Sequence, residues 1–124
     1  MLKKALLFLS ITYTVALTVV CLININDFPK VEIDYSDKIF HCLTYLVLNL
    51  LWFNTFLFYF NIIKSKALWY AAGFSFVFGI VIEVLQGTLT VNRSADIYDV
   101  FANSFGVLLA VIIITLKQKI AIKK

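Results

Sequence analysis

Four long apolar segments dominate the 124-residue chain and constrain its fold more than any other feature. Each is long enough for a helix to cross the ~30 Å hydrocarbon core of a bilayer at ~1.5 Å per residue. Hydrophobic residues make up 62% of the chain, which is more than a soluble globule of this size could bury. The sequence therefore predicts an all-α polytopic membrane protein, a single domain over residues 1–124 with four transmembrane helices in a small bundle. These spans are placed at about residues 5–25, 39–63, 67–86 and 97–116.

Acidic and basic residues lie at opposite ends of these segments. All seven carboxylates lie in or beside the links that join segment 1 to 2 and segment 3 to 4. Because cytoplasmic ends of membrane helices carry an excess of Lys and Arg, the basic residues at the other ends place both termini in the cytoplasm. Segment 1 lacks a small-residue cleavage site, and we expect it to be retained. The eight basic residues on the predicted cytoplasmic side are Lys3, Lys4, Lys64, Lys66, Lys117, Lys119, Lys123 and Lys124.

Three segments each carry a stripe of polar and small residues at helical spacing. Steps of three and four residues put each stripe on one helix face. Small residues let membrane helices approach closely, and polar residues are costly in a membrane unless they face partners or a water-filled cavity. We therefore expect segments 2, 3 and 4 to pack around an outward-facing polar pocket. The stripes are Asp37, Lys38, His41 and Tyr45; Ala72, Ser75, Gly79, Glu83 and Gln86; and Asp96, Asp99, Asn103, Gly106 and Ala110.

Ten residues are candidates for binding a ligand in this pocket, although each also has a structural explanation. Carboxylates such as Asp37 and Asp96 favour the first turns of helices. Asn103 can bond across helices, and a lone histidine such as His41 is more often structural. A polar cluster that only holds three helices together therefore stays an open alternative. The ten candidates are Asp37, Lys38, His41, Tyr45, Glu83, Gln86, Arg93, Asp96, Asp99 and Asn103.

Glu83 is the candidate that is hardest to explain structurally. It lies about one turn inside its segment, where a carboxylate needs a partner. Arg93, Lys38 and His41 are the possible partners. Arg93 could instead contact a lipid phosphate or neutralise Asp96.

The pattern gives limited support to catalysis. His41 with Glu83 or Asp99 could serve as acid–base groups, but the chain has no nucleophile motif and no phosphate-binding glycine loop. One histidine with carboxylates at no diagnostic spacing does not indicate a metal site, and we expect neither metal nor cofactor. The two cysteines, Cys21 and Cys42, are expected to be thiols packed among apolar side chains.

Three polar clusters carry a resemblance to a known family. They are Asp37-Lys38-x-x-His41-x-x-x-Tyr45, Glu83-x-x-Gln86, and Arg93-x-x-Asp96-x-x-Asp99-x-x-x-Asn103-x-x-Gly106. In this order they resemble the VanZ-like family of bacterial membrane proteins, over about Asp37 to Leu116. The resemblance implies a multi-pass protein of the bacterial cytoplasmic membrane. The founding member of the family is associated with resistance to teicoplanin, a glycopeptide that binds cell-wall precursors. Many relatives occur in bacteria without a resistance cluster, so resistance need not be the role of this chain.

Three functions compete. The first is a non-enzymatic envelope protein whose pocket, on the extracytoplasmic side, binds or alters access to an envelope lipid or a lipid-linked cell-wall precursor. The second is a membrane-embedded enzyme that acts on a lipid-linked substrate. The third is a small transporter, which is less favoured because the predicted polar residues end in the outer half of the bundle. Membrane lipids are the expected partners. Nucleic acid is not an expected partner, because the basic residues are split among short connections. The oligomeric state is left open.

Overall fold

The computed structural model describes residues 2–22, 34–89 and 97–123, with side chains described for 2–22, 38–88 and 97–119. Each of the four helices contains a stretch long and apolar enough to cross a membrane. This confirms the prediction of an all-helical chain with four potential membrane spans. The helices are α1 (Leu2–Leu22), α2 (Asp34–Asn54), α3 (Lys64–Leu89) and α4 (Ile97–Lys123), and α2 continues into a π-helix over Thr55–Tyr59.

Helix α2 lies at the centre of the bundle. It packs most extensively against α4 and also contacts α3 and α1, whereas α1 lies against α2, the π-helix and α3. Gly106 sets the approach of α4 to α2, because a Cβ atom there would overlap the carbonyl oxygen of Cys42 and lie 3.1 Å from the backbone nitrogen of Leu46. At Gly79 of α3 a Cβ would lie 3.2 Å from a side-chain atom of Tyr45. The predicted close packing along small residues is therefore confirmed at these two glycines.

The apolar side chains divide between the interior and the outer surface. One interior cluster lies toward the end of the bundle that holds Leu22, and a second lies near the α2–α3 connection. Large apolar side chains such as Phe8, Trp69 and Phe101 remain exposed on the outside, as expected when lipid is the solvent. The first cluster contains Leu17, Cys21, Tyr45, Leu48, Ile82 and Val107, and the second contains Phe53, Ala67, Ala71 and Ile114.

Several helix ends differ from the predicted span limits, including the ends of the second and third spans. The second span was predicted to reach about residue 63, with its last residues emerging from the membrane or tilting, whereas its regular α-helix ends at Asn54 and the π-helix ends at Tyr59. Asn61 follows with φ of 56°, a left-handed conformation that Asn tolerates and that ends a right-handed helix. Helix α3 continues to Leu89 rather than ending near residue 86, and Gln86 is buried in the interior. Cys21 is buried in the first apolar cluster and Cys42 is half-buried, and their thiols are not bonded to each other.

Candidate functional site

Asp99 connects two helices through both of its carboxylate oxygens. It lies in the first turn of α4, and its Oδ1 accepts a hydrogen bond of 2.5 Å from Nζ of Lys38 on α2. Its Oδ2 lies 3.6 Å from Nε2 of His41. Lys38 and His41 are three positions apart and therefore project from the same side of α2. Asp99 therefore does more than interact favourably with the dipole of α4, because it also joins the start of α4 to α2.

This charged group is buried on one side and open on the other. The Asp99 side chain is 8% exposed and that of His41 is 1% exposed, whereas the Lys38 side chain is 30% exposed. A buried carboxylate in a membrane bundle is stabilised only where cations or donors face it. Lys38 therefore compensates the charge of Asp99. Because its side chain is partly exposed, it also connects the buried carboxylate with the surface of the protein.

Helix α3 adds two buried polar side chains to the same end of the bundle. Glu83 and Gln86 are three positions apart, and both are buried. Nε2 of Gln86 donates a hydrogen bond of 2.9 Å to the backbone carbonyl of Cys21 on α1. Glu83 and Asp99 are both buried charged residues, at 4% and 6% exposed. The two carboxylates, on α3 and α4, therefore face a common interior.

Gly79 makes room for the next layer of polar side chains. A Cβ atom there would lie 3.2 Å from Nδ2 of Asn103 and 3.2 Å from Cε1 of Tyr45. Both side chains are buried. Helices α2, α3 and α4 therefore meet at this level with an amide and a phenol between them. We refer to the whole group as the polar centre, defined as Lys38, His41, Tyr45, Glu83, Gln86, Asp99 and Asn103.

The structure brings together the seven predicted site residues whose side chains it describes. Arg93 and Asp96 lie outside the described residues, and only the backbone of Asp37 is described. The predicted partnership of Arg93 with Glu83 or Asp96 therefore stays a prediction. The contact of Lys38 and His41 with Asp99 was not predicted, since both were named as possible partners of Glu83.

Asn49 is a buried polar residue that was missed, although its spacing could have revealed it. Asn49 is 0% exposed and follows Tyr45 by four positions, so it extends the α2 stripe by one turn. Ser75 on α3 is buried as well. The interpretation that polar side chains end in one half of the bundle therefore overlooked Asn49.

The described part of the chain holds no group of three or more His, Cys, Asp or Glu residues that could bind a metal ion.

A family model described as VanZ/LLP1 matches residues 4–118. The chain belongs to the VanZ/LLP1 family. The match spans most of each of the four helices, so the resemblance seen in the polar motifs is confirmed. Searches of curated proteins and of solved structures find no match. Family membership and four potential spans together make this VanZ/LLP1 chain a multi-pass integral membrane protein.

Proposed function

We propose that this VanZ/LLP1 protein binds the polar headgroup of an envelope lipid or a lipid-linked cell-wall precursor at its polar centre. Binding would change the access of other molecules to that headgroup. The observation that carries the proposal is the ion pair of Lys38 with Asp99. Its carboxylate is buried among three helices while its ammonium group remains 30% exposed.

The chemistry of the polar centre suits a phosphate-bearing or carboxylate-bearing headgroup. Lys38 offers an ammonium group that can bond an anionic oxygen with the strength of a charge-assisted hydrogen bond. Gln86 carries an amide that can bond hydroxyl and amide groups of sugars or peptides. The outer surface of the helices is apolar. An amphiphile could therefore keep its chain in lipid while its headgroup enters the bundle.

The charge distribution supports a ligand on the extracytoplasmic side. The lysines assigned to the cytoplasm that the structure describes lie at the helix ends opposite the polar centre, and membrane proteins keep such residues inside. Envelope precursors awaiting incorporation are presented on the outer side, where a glycopeptide can also reach them. In this proposal a bound precursor is partly hidden from teicoplanin, which links the polar centre to the resistance associated with the founding member of the family.

A sensitivity assay tests the resistance part of the proposal. The chain would be expressed in a susceptible Gram-positive host as the unsubstituted protein, as Lys38→Gln, as Asp99→Asn and as the control Lys119→Gln. Lys119 is an exposed lysine near the far end of α4. We expect the unsubstituted protein and Lys119→Gln to lower teicoplanin sensitivity equally, and the two polar-centre variants to do so less at matched membrane abundance. Unchanged sensitivity on expression of the unsubstituted protein would remove the resistance role.

A membrane-embedded enzyme is the second candidate, favoured by one contact. Nε2 of His41 lies 3.6 Å from Oδ2 of Asp99, and a carboxylate beside an imidazole can orient it for proton transfer. The purified protein would be incubated with a lipid-linked precursor and the products analysed by mass spectrometry. Turnover that His41→Gln and Glu83→Gln abolish, with lipid still bound, would establish catalysis. Full function of both variants in cells would exclude it.

A further inference from the structure

Four neutral polar side chains lie in the interior where the polar centre continues toward the middle of the bundle. Tyr45, Asn49, Ser75 and Asn103 are each no more than 2% exposed. Within the part of the chain that the structure describes, the Tyr45 hydroxyl, the Ser75 hydroxyl and both amide atoms of Asn49 and Asn103 have no hydrogen-bond partner. Such a concentration of buried groups in one region requires an explanation.

The helix register brings the four side chains to neighbouring levels. Tyr45 and Asn103 both lie against Gly79. Tyr45 clusters with Ile82, whereas Phe53 clusters with Ala67 and Ala71, so α2 and α3 run antiparallel. Asn49 lies one turn from Tyr45 along α2. Ser75 lies one turn from Gly79 along α3, in the same direction through the bundle. These two residues therefore share the next level of the bundle.

Leaving these groups unsatisfied would be costly. A buried donor or acceptor that loses its partner costs ~1–3 kcal/mol, and lipid cannot supply a replacement. A buried water makes about three hydrogen bonds to such groups.

We propose that ordered water binds between Tyr45, Asn49, Ser75 and Asn103 and forms a hydrated extension of the polar centre inside the bundle. The lining carries no formal charge, so the site takes water rather than the anionic headgroup assigned to Lys38. This inference does not depend on the identity of the headgroup. The bound water would also provide exchangeable hydrogen bonds next to the buried carboxylates of Glu83 and Asp99.

The first test measures thiol accessibility in the full chain, with Cys21→Ala and Cys42→Ala as background. Ser75→Cys places a near-isosteric thiol in the proposed water site. Ala71→Cys is the matched control, because Ala71 lies one turn away on α3, is also 0% exposed and belongs to an apolar cluster. Silver ion, which replaces the thiol proton, is the probe. We expect it to react about tenfold faster with Ser75→Cys than with Ala71→Cys, since only the first thiol contacts water.

The second test uses the unsubstituted protein, so it decides the question even if the cysteine variants fail to fold. Hydroxyl radicals generated by brief radiolysis oxidise buried side chains that lie beside bound water. Tyr45 and Phe53 are both buried aromatic residues of α2, at 0% and 6% exposed. We expect Tyr45 to be oxidised faster, once each rate is divided by the intrinsic reactivity of its type of side chain, although Tyr45 is the more buried of the two. Labelling of Tyr45 no faster than Phe53 would show a dry interior, with the polar groups bonded to one another, and would overturn the proposal.

Discussion

Lys38 and Asp99 are 61 positions apart in the chain, and their side chains form a 2.5 Å ion pair that joins α2 to α4 at one end of the bundle. The pair is asymmetric, because the Asp99 side chain is 8% exposed and the Lys38 side chain is 30% exposed. The carboxylate depends on its partner for compensation, whereas the lysine can extend toward headgroups or water. This asymmetry predicts different consequences for removing each member of the pair.

Lys38→Met should destabilise the protein more than Asp99→Asn. Loss of Lys38 leaves a buried carboxylate without its ammonium partner, and we expect a cost of about 2–3 kcal/mol. The double variant should be less destabilised than the sum of the two single variants, with a coupling of about 1 kcal/mol. Reversible unfolding in detergent micelles measures each value. Lys66→Met, at an exposed lysine of α3, is the control, and strictly additive effects would contradict the ion pair.

Alanine substitutions at three glycines should differ in a fixed order. Gly106→Ala should destabilise by about 1–3 kcal/mol, because the new methyl group meets backbone atoms of Cys42 that cannot move aside. Gly79→Ala should cost less, since its contacts at 3.2 Å are with the side chains of Asn103 and Tyr45. Gly73→Ala is the control, because a Cβ there meets nothing within 4 Å and alanine favours a helix. Thermal unfolding of the three variants gives the order, and equal stability of the Gly106 and Gly73 variants would contradict the close approach of α2 and α4.

The contact of α1 with the π-helix should be weakened by removing one hydroxyl pair. Oγ of Ser10 and Oγ1 of Thr55 lie 2.6 Å apart, and both residues are buried. Ser10→Ala and Thr55→Val should couple by about 0.6 kcal/mol, the average for hydrogen bonds between membrane helices. Thr18→Val is the control, because the Thr18 hydroxyl donates to the carbonyl of Thr14 within its own helix. A double-mutant cycle by unfolding in micelles measures the coupling, and a value of zero would mean that the pair does not hold α1 in place.

The membrane spans and the facing polar stripes could be predicted because both depend on local sequence. Apolar length identifies a span, and steps of three and four residues identify a helix face. Gly79 and Gly106 accordingly lie where predicted. The pairing of Lys38 and His41 with Asp99 could not be predicted, because it depends on the rotation and depth of two helices that are distant in sequence. Periodicity shows which residues share a face, but it does not show which residue meets which across an interface.

The change from α-helix to π-helix after Asn54 could not be predicted, for a similar reason. Nothing in the run Thr55–Tyr59 marks a π-helix, since its residues are ordinary for an apolar span. The hydroxyl of Thr55 is engaged with Ser10 and also bonds the carbonyl of Leu51 at 2.9 Å. The local winding therefore occurs where tertiary contacts with α1 are made. The inward orientation of Asn49, in contrast, could have been predicted from its position four residues after Tyr45.

The most direct measurement of headgroup binding is a titration of the protein in nanodiscs with a lipid-linked cell-wall precursor, followed by native mass spectrometry. We expect the unsubstituted protein and Lys119→Gln to bind the precursor with equal affinity. Lys38→Gln should bind about tenfold more weakly, which corresponds to about 1.4 kcal/mol for one charge-assisted contact. Binding of the precursor that Lys38→Gln leaves unchanged, or no binding by the unsubstituted protein, would contradict the assignment of the polar centre as the headgroup site.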